Sequence, residues 1–363
     1  MTAGARGAVA PPPGRWPVAV LGATGAVGQT FVRLLANHPW FDLVEVAASE
    51  RSAGKPYREA ARWLEGEMPA RVAQLTVLPC DPSAVRAPVV FSALDAAIAQ
   101  DAEPAFARAG RVVLSNAKSY RMEPDVPIMV AEVNASHLGV LHRQRAERGW
   151  PGAIVTNGNC AAIVTAMALA PLHEAFGIRQ LFAVTMQATS GAGYPGVPSL
   201  DILGNVIPFI GDEEPKVERE IPKMLGSIKG RTLESATFGV SSHCNRVPVE
   251  HGHTVCMSVS FEQFPLVPDA IRVLRTWRGD ERVRGLPSAP ETPLLVVEDE
   301  ARPQPRRDVH TGRGMTVVVG RVRPDPVFDL RLVAMGHNVV RGAAGGSVLN
   351  AEVMAASGML PLP

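Results

Sequence analysis

The sequence predicts an α/β protein, with a Rossmann-type doubly wound parallel sheet followed by a second α/β domain. Three observations predict it. A glycine-rich turn joins an apolar strand to an amphipathic helix at residues 16–37. Strand and helix patterns then alternate through roughly the first 155 residues, which is the signature of parallel pairing with crossover helices. A second strand–turn–helix, residues 152–176, carries a cysteine where strand becomes helix.

Residues 1–16 are rich in Ala, Gly and Pro and lack an apolar signal-peptide core, so they read as a disordered tail. Trp16–Leu21 is a short strand that runs into Gly22-Ala-Thr-Gly25-Ala-Val-Gly28. Glycines at this spacing allow a tight turn, close approach of backbone to a pyrophosphate, and tight helix–strand packing, with the phosphates at the helix N-terminus. Gly22, Thr24, Gly25, Ala26, Val27 and Gly28 are therefore cofactor-binding candidates, and the helix is expected over Gln29–Asn37. The next strand, Leu43–Ala48, ends in Ser49-Glu50-Arg51-Ser52-Ala53-Gly54-Lys55. Arg51, Ser49 and Ser52 suit a ribose 2′-phosphate and Lys55 adds charge, whereas Glu50 is the kind of residue an NAD-selective fold presents; the balance favours NADP. Pro88–Ala93 and Arg111–Ser115 are further strands around a helix at Ala96–Ala109. Asn116 follows the second, at the strand end where doubly wound sheets bind ligands.

Gly152–Thr156 reads as a strand, Asn157-Gly158-Asn159 as a turn, and Cys160–Phe176 as an apolar helix. A thiol in the first helical turn faces backbone N–H groups and the positive end of the helix dipole, both of which favour thiolate. A Pro-rich stretch, Leu286–Arg307, reads as an extended loop leading into a strand at Met315–Arg321. The 36 basic and 35 acidic residues leave a net charge of +1, which gives no electrostatic pull towards nucleic acid or anionic membrane. The four cysteines are scattered without a CxxC pair, which argues against a disulfide framework or zinc knuckle and suits the cytoplasm. No stretch of about 18 uninterrupted apolar residues offers a membrane span.

Taken together, Gly22–Gly28, Ser115-Asn-Ala-Lys-Ser-Tyr-Arg121 and the Cys160 turn resemble the aspartate-β-semialdehyde dehydrogenases, the archaeal and fungal branch more than the common Gram-negative type. The resemblance runs from about residue 17 to 357 through Met186–Gly196, Asn245-Arg246-Val-Pro-Val, Gly252-His253-Thr254, Gly336–Gly345 and Asn350. It implies an NADP-binding domain over 17–157, a catalytic and dimerisation domain over 158–335, and a C-terminal helix over 336–363 that returns to the first domain. It also implies NADPH-dependent reductive dephosphorylation of L-4-aspartyl phosphate to L-aspartate 4-semialdehyde, a step towards Lys, Met, Thr and diaminopimelate, in a homodimer or homotetramer.

Carried onto this chain, the resemblance makes Cys160 the nucleophile that forms a thioester. His253 becomes the acid/base, seven residues after Arg246, and Gln187, 27 residues after Cys160, contacts substrate near the reacting carbon. Arg246 is the candidate clamp for the substrate carboxylate, since a planar guanidinium binds it in two-pronged fashion. Arg121 receives the phosphate, Glu213 and Lys216 share a helix face and serve amine and phosphate, and Asn116 lies beside the substrate. Gly193, in a ligand-facing turn, is a further cofactor-binding candidate, as is Asn350 in the C-terminal segment that in relatives closes over the nicotinamide side. His251, in Glu-His-Gly-His where relatives commonly have Asp before Gly-His-Thr, reads as a solvated turn residue; a metal site there lacks an evident third ligand.

Phosphorylating glyceraldehyde-3-phosphate dehydrogenases usually show a Ser-Cys-Thr-Thr-Asn turn and N-acetyl-γ-glutamyl-phosphate reductases a Pro-Gly-Cys-Tyr turn. Gly158-Asn159-Cys160-Ala161 matches neither. Malonyl-CoA reductases resemble the archaeal branch and keep the same Cys and His, so they remain the alternative. A non-catalytic NADP-binding protein is another, although Cys160, His253 and Arg246 are all present.

Overall fold

Strands buried on both faces read as unbroken apolar runs. The N-terminal half is built from such runs. In a computed structural model, which describes residues 14–361, they form β1 (Trp16–Leu21), β2 (Phe41–Ala48), β3 (Val77–Pro79), β4 (Val89–Ser92), β5 (Val112–Ser115) and β6 (Ala153–Thr156). All pair in parallel in the order β3-β2-β1-β4-β5-β6. Register aligns Leu21 with Ser92, Ser92 with Ser115, and Ser115 with Thr156. The residues that follow, Gly22, Asn116 and Asn157, therefore share one carboxyl edge, where such sheets bind ligands.

Helix α1 (Ala26–Leu35) follows β1, and α2 (Ala96–Arg108) crosses from β4 to β5. The first helix begins three residues before the expected Gln29. Gly25 takes the N-cap position, and Gly28 lies inside the first turn, where a Cβ would meet the Gly22 carbonyl oxygen at 2.1 Å. Of the tail read over 1–16, residues 1–13 lie outside the described residues. Arg15 and Trp16 are not tail: Arg15 donates to the His38 and Phe41 carbonyls, and Trp16 Nε1 donates to the Pro361 carbonyl at 2.6 Å.

Helix α3 (Leu141–Arg148) precedes β6, and α4 (Cys160–Phe176) follows it. Residues Ala161–Leu172 of α4 are all buried, as expected of a helix that is apolar all round. It packs on a second, mixed sheet. The strands after it are β7 (Ile178–Gln187), a small hairpin β8 (Ser227–Lys229) and β9 (Thr232–Glu234), β10 (Gly239–Arg246), β11 (His253–Phe261), β12 (Leu294–Val296), β13 (Val317–Pro324) and β14 (Leu330–Gly336). The sheet order is β10-β7-β11-β14-β13-β12. Helices α5 (Glu213–Met224) and α6 (Val267–Thr276) contribute to the same core. The stretch read as a loop, 286–307, is not wholly one: Leu294–Val296 pairs in parallel with β13, and Pro305–Asp308 forms a helical turn. The final helix, α7 (Gly345–Ala356), buries Val348, Leu349 and Val353 in the core of the parallel sheet. Its approach is pinned by Arg341, which donates twice to the buried Glu132 carboxylate at 2.6 Å. No helix among the described residues is long and apolar enough to cross a membrane.

Candidate active site

Three strand ends converge on the start of α4. β7 and β10 run parallel with Gln187 paired to Arg246, and β11 starts beside them with His253. Cys160, the first residue of α4, places Sγ 3.0 Å from His253 Nε2. The peptide of Ala188, just past β7, serves two of these side chains. Its N–H donates to His253 Nδ1 at 3.1 Å, and its carbonyl accepts from Arg246 Nη1 at 2.7 Å. Gly191 closes the wall, because a Cβ there would meet Arg246 Nη1 at 2.9 Å and His253 Cε1 at 3.1 Å. Gln187 is buried and donates to Thr185 Oγ1 at 3.3 Å.

The expected ease of thiolate formation is corrected by the fold. Asn159 caps α4, its Oδ1 accepting from the N–H groups of Ala161 and Ala162, so those donors are already engaged. Burial pushes the Cys160 thiol up to about 12, assisted by the Glu213 carboxylate; Arg121, the Ala161 N–H and Arg246 oppose it without prevailing. Burial, followed by the positive charge of Arg246 and then His337, pushes His253 down to about 3. Both shifts favour the neutral thiol and neutral imidazole in the free protein.

A second buried guanidinium bears on the thiol. Arg121 Nη1 donates to Glu220 Oε1 at 3.0 Å and Nη2 to the Asn116 carbonyl at 2.8 Å. Glu220 Oε2 accepts the Asn159 N–H at 2.5 Å, which ties this arginine to the cap of α4. Asn159 Nδ2 donates to Glu213 Oε1 at 2.5 Å, and Glu213 Oε2 takes Lys216 Nζ at 3.2 Å. Glu213 is buried, so this is no surface pair. Lys223, one more turn along, donates to the carbonyls of Arg121, Glu123 and Val126 at 2.5, 2.7 and 2.8 Å and shapes the loop that holds Arg121. Asn116 Oδ1 accepts from Asn157 Nδ2 at 3.0 Å, beside the turn to Cys160.

The parallel sheet supplies a cradle for a dinucleotide. Gly25 caps α1 without a side-chain hydrogen bond, and the first turn holds no acidic residue, so its N–H groups stay open to an anion. Ala26 and Val27 line a cavity of about 540 Å³ that continues past Ser190, Gly193 and Tyr194 of the second domain. Gly193, at φ 73°, has nothing within 4 Å of where a Cβ would stand. Ser49, Glu50 and Arg51 are exposed at the end of β2, with Ser52 in the turn that returns its N–H to Ser49 O at 2.8 Å. Asn350 is buried on α7 and donates to the Met129 carbonyl at 3.0 Å, while its Oδ1 has no partner among the described residues. These residues fit NADP.

His251 lies in the turn before β11 with its side chain 34% exposed, and it has neighbours that the sequence did not announce. It lines the cavity, its Nδ1 stands 3.0 Å from Ser190 Oγ, and its ring lies 4.9 Å from that of buried His337. Among the described residues no group of three or more His, Cys, Asp or Glu side chains is placed to hold a metal ion.

Comparison with known proteins bears directly on this arrangement. Residues 17–140 match the family model for the semialdehyde dehydrogenase NAD binding domain, and residues 169–341 match that for the semialdehyde dehydrogenase dimerisation domain. The aspartate-semialdehyde dehydrogenase of Archaeoglobus fulgidus is 49% identical over 94% of this chain and 98% of its own length. That of Schizosaccharomyces pombe is 46% identical over 94% and 99%. The chain belongs to the aspartate-semialdehyde dehydrogenase family. The crystal structure of aspartate semialdehyde dehydrogenase with NADP from Candida albicans superposes with a TM-score of 0.88 at 40% identity, covering 95% of this chain and all of that one. The archaeal and fungal branch read from the motifs is represented among these relatives.

For this family member, sequence reasoning missed Asn159, Glu220, Lys223 and the Ala188 peptide. Glu220 and Lys223 had a signal, since they follow Glu213 and Lys216 at helical spacing and so fall on the same face of α5. Gly342 was also missed: a Cβ there would meet Cys160 Cβ at 2.6 Å, so glycine is what lets the C-terminal segment close against Cys160.

Proposed function

We propose that this protein catalyses NADPH-dependent reductive dephosphorylation of L-4-aspartyl phosphate to L-aspartate 4-semialdehyde through a thioester on Cys160. One observation carries the reading: a thiol 3.0 Å from a histidine lies within electrostatic reach of two buried arginines, Arg121 and Arg246. Two guanidiniums near one thiol suit a substrate that carries both a carboxylate and a phosphate. Arg246 takes the α-carboxylate, Arg121 and Lys216 take the phosphate, and Glu213 faces the amine, with Gln187 and Asn116 bordering the reacting carbon. Cys160 attacks the acyl carbon, and His253 is its hydrogen-bonded partner. NADPH, when bound, supplies the hydride that reduces the thioester. Gly22, Thr24, Gly25, Ala26, Val27 and Gly28 hold its pyrophosphate, Ser49, Arg51 and Ser52 its 2′-phosphate, and Gly193 and Asn350 border the nicotinamide.

The division of labour follows the two sheets, with cofactor binding over 17–157 together with 336–363, and catalysis and dimerisation over 158–335. We assign the protein to a homodimer or a homotetramer in the cytoplasm. The direct test is an assay with aspartate semialdehyde, phosphate and NADP. Phosphate-dependent formation of NADPH is expected; activity only with malonyl semialdehyde and coenzyme A refutes the reading.

A further inference from the structure

Ser92 and Ser115 end neighbouring parallel strands and stand in register, so their side chains leave the sheet on the same face. Both are buried, and α2 brings Glu103, which has no exposure at all, against them. Ser115 Oγ accepts the Ala117 N–H at 3.1 Å and donates its own proton to Glu103 Oε1 at 2.7 Å. Glu103 Oε2, the Ser92 hydroxyl and Arg121 Nε are buried without a partner among the described residues. A carboxylate with one oxygen dry and unpaired is costly. A carboxylic acid with its proton on Oε2 is instead a donor, and the Ser92 oxygen is the acceptor at hand.

Glu103 reaches the active site through the loop after β5. By way of Ser115 it holds the Ala117 N–H, and the adjoining Asn116 carbonyl accepts from Arg121 Nη2 at 2.8 Å. The charged and titratable groups that face Glu103 are Arg121 and Tyr120. The charge of Arg121 favours the Glu103 carboxylate, while burial and then the Glu103 charge push the Tyr120 phenol up. Behind them, Glu220 and Lys223 of α5 hold Arg121, and Arg148, 5.8 Å from the Tyr120 ring, is paired with Glu123 and Asp125. Strands β4, β5 and β6 carry no charged residue, and Asp101 of α2 is exposed. Burial pushes the Glu103 carboxyl up to about 7, against the opposing effects of Ser115, Ser92 and Arg121.

We propose that Glu103 is the proton partner of the phosphate site: an anion on Arg121 makes it take up one proton, and departure of the anion releases it. The inference rests on Arg121 receiving the phosphate, as proposed above. Glu103 touches no reacting atom and is a positioning residue that acts through Arg121 and the 115–121 loop. The sign follows from charge. Arg121 alone favours the carboxylate, whereas an anion seated on it cancels that effect and repels a second negative charge. The proton comes from water: an O–H bond forms on Oε2 as phosphate enters and breaks as it leaves, and no electrons are transferred. By linkage, the protonated form holds phosphate more tightly, so affinity falls as pH rises through the range in which Glu103 ionises. The negative charge that returns to Glu103 favours phosphate departure, which suits the dephosphorylating direction.

Infrared difference spectroscopy reads the carboxyl directly. In the ligand-free wild type, a carbonyl band of a protonated acid, absent from Glu103→Gln, should titrate near pH 7. Arg121→Gln should move that midpoint up by about one pH unit, with NADPH binding to check that both variants fold. A carboxyl that stays ionised down to pH 5, or a midpoint indifferent to Arg121→Gln, overturns the proposal. Adding inorganic phosphate at pH 7.5 with NADP present should strengthen the same band. Isothermal titration in two buffers of different ionisation heat should then show the wild type taking up about half a proton more per phosphate than Glu103→Gln. A merely structural Glu103 moves neither reading. Phosphate that binds with equal proton uptake in both proteins refutes the proposal alone, whereas phosphate that does not bind at all refutes the reading of Arg121 and the proposal with it.

Discussion

Two helices begin at the carboxyl edge of the same parallel sheet, and their first residues are put to opposite uses. Helix α1 starts behind Gly25, which offers no side chain to its N–H groups. Helix α4 starts behind Asn159, whose Oδ1 takes the N–H groups of Ala161 and Ala162 at 3.0 Å. The bare end keeps its donors for a ligand phosphate. At the capped end those N–H groups are shared with the Asn159 side chain, and the groups that favour a thiolate at Cys160 are Arg121, the Ala161 N–H and Arg246. A helix N-terminus is therefore not one kind of site. The N-cap residue decides whether the backbone binds the anion or the side chains do.

The largest expected effect lies at the capped end. Cys160→Ala should abolish turnover while leaving folding and NADPH binding nearly unchanged, because no other group within reach forms the thioester; a covalent acyl adduct should appear by intact mass spectrometry in the wild type alone. At the bare end, Gly25→Asp would convert α1 to the design of α4. Its backbone, at φ −76° and ψ 165°, accepts any residue, so thermal stability should hold. A carboxylate on those N–H groups should nevertheless weaken NADPH by roughly tenfold to a hundredfold, measured by fluorescence titration; unchanged affinity would remove α1 from the pyrophosphate site.

Arg51→Ala should weaken NADPH about tenfold or more and NADH hardly at all, since only the former has a 2′-phosphate to lose. Equal losses in isothermal titration would shift cofactor choice to another residue. Asn159→Ala removes the cap and should cost about 1 kcal/mol in urea unfolding, with turnover falling as Glu213 loses its amide partner, whereas Glu220 keeps the backbone N–H of residue 159. The smallest effect concerns the thiol. Its raised position means that deprotonation, and so alkylation of the free enzyme, should still be rising above pH 9. Glu213→Gln removes a negative charge that disfavours thiolate, so it should lower the thiol and speed alkylation a few-fold at pH 8. A slower reaction would contradict the assigned sign.

Much of the cofactor half was legible because its information is local. Val89–Ser92 and Val112–Ser115 are apolar on both faces, and the Gly22–Gly28 turn works through backbone shape, which sequence records directly. The expected start of α1 was three residues late because glycine is a poor helix former, yet Gly25 and Gly28 are held there by close packing on the Gly22 turn. In the second domain the candidate residues came from motif spacing, and their environment did not. Helix position pointed to an easily ionised thiol, whereas desolvation, the Asn159 cap and Glu213 push it the other way. His251 looked exposed in a polar turn, and the packing of His337 and Ser190 around it could not be read from neighbouring residues in the chain.

The sequence by itself determined the strand–helix alternation of the first domain, the glycine turn, the residue that starts α4 and which arginines and histidine are the candidates around it. Those depend on local pattern and on residue chemistry. The tertiary structure alone decided that β7 and β10 pair Gln187 with Arg246, that the Ala188 peptide faces His253 with its N–H and Arg246 with its carbonyl, and that Gly342 closes on Cys160. The ionisation preferences of Cys160 and His253 follow from these placements. They are set by burial and by partners distant in the chain, and a peptide N–H carries no side-chain letter to announce where it points.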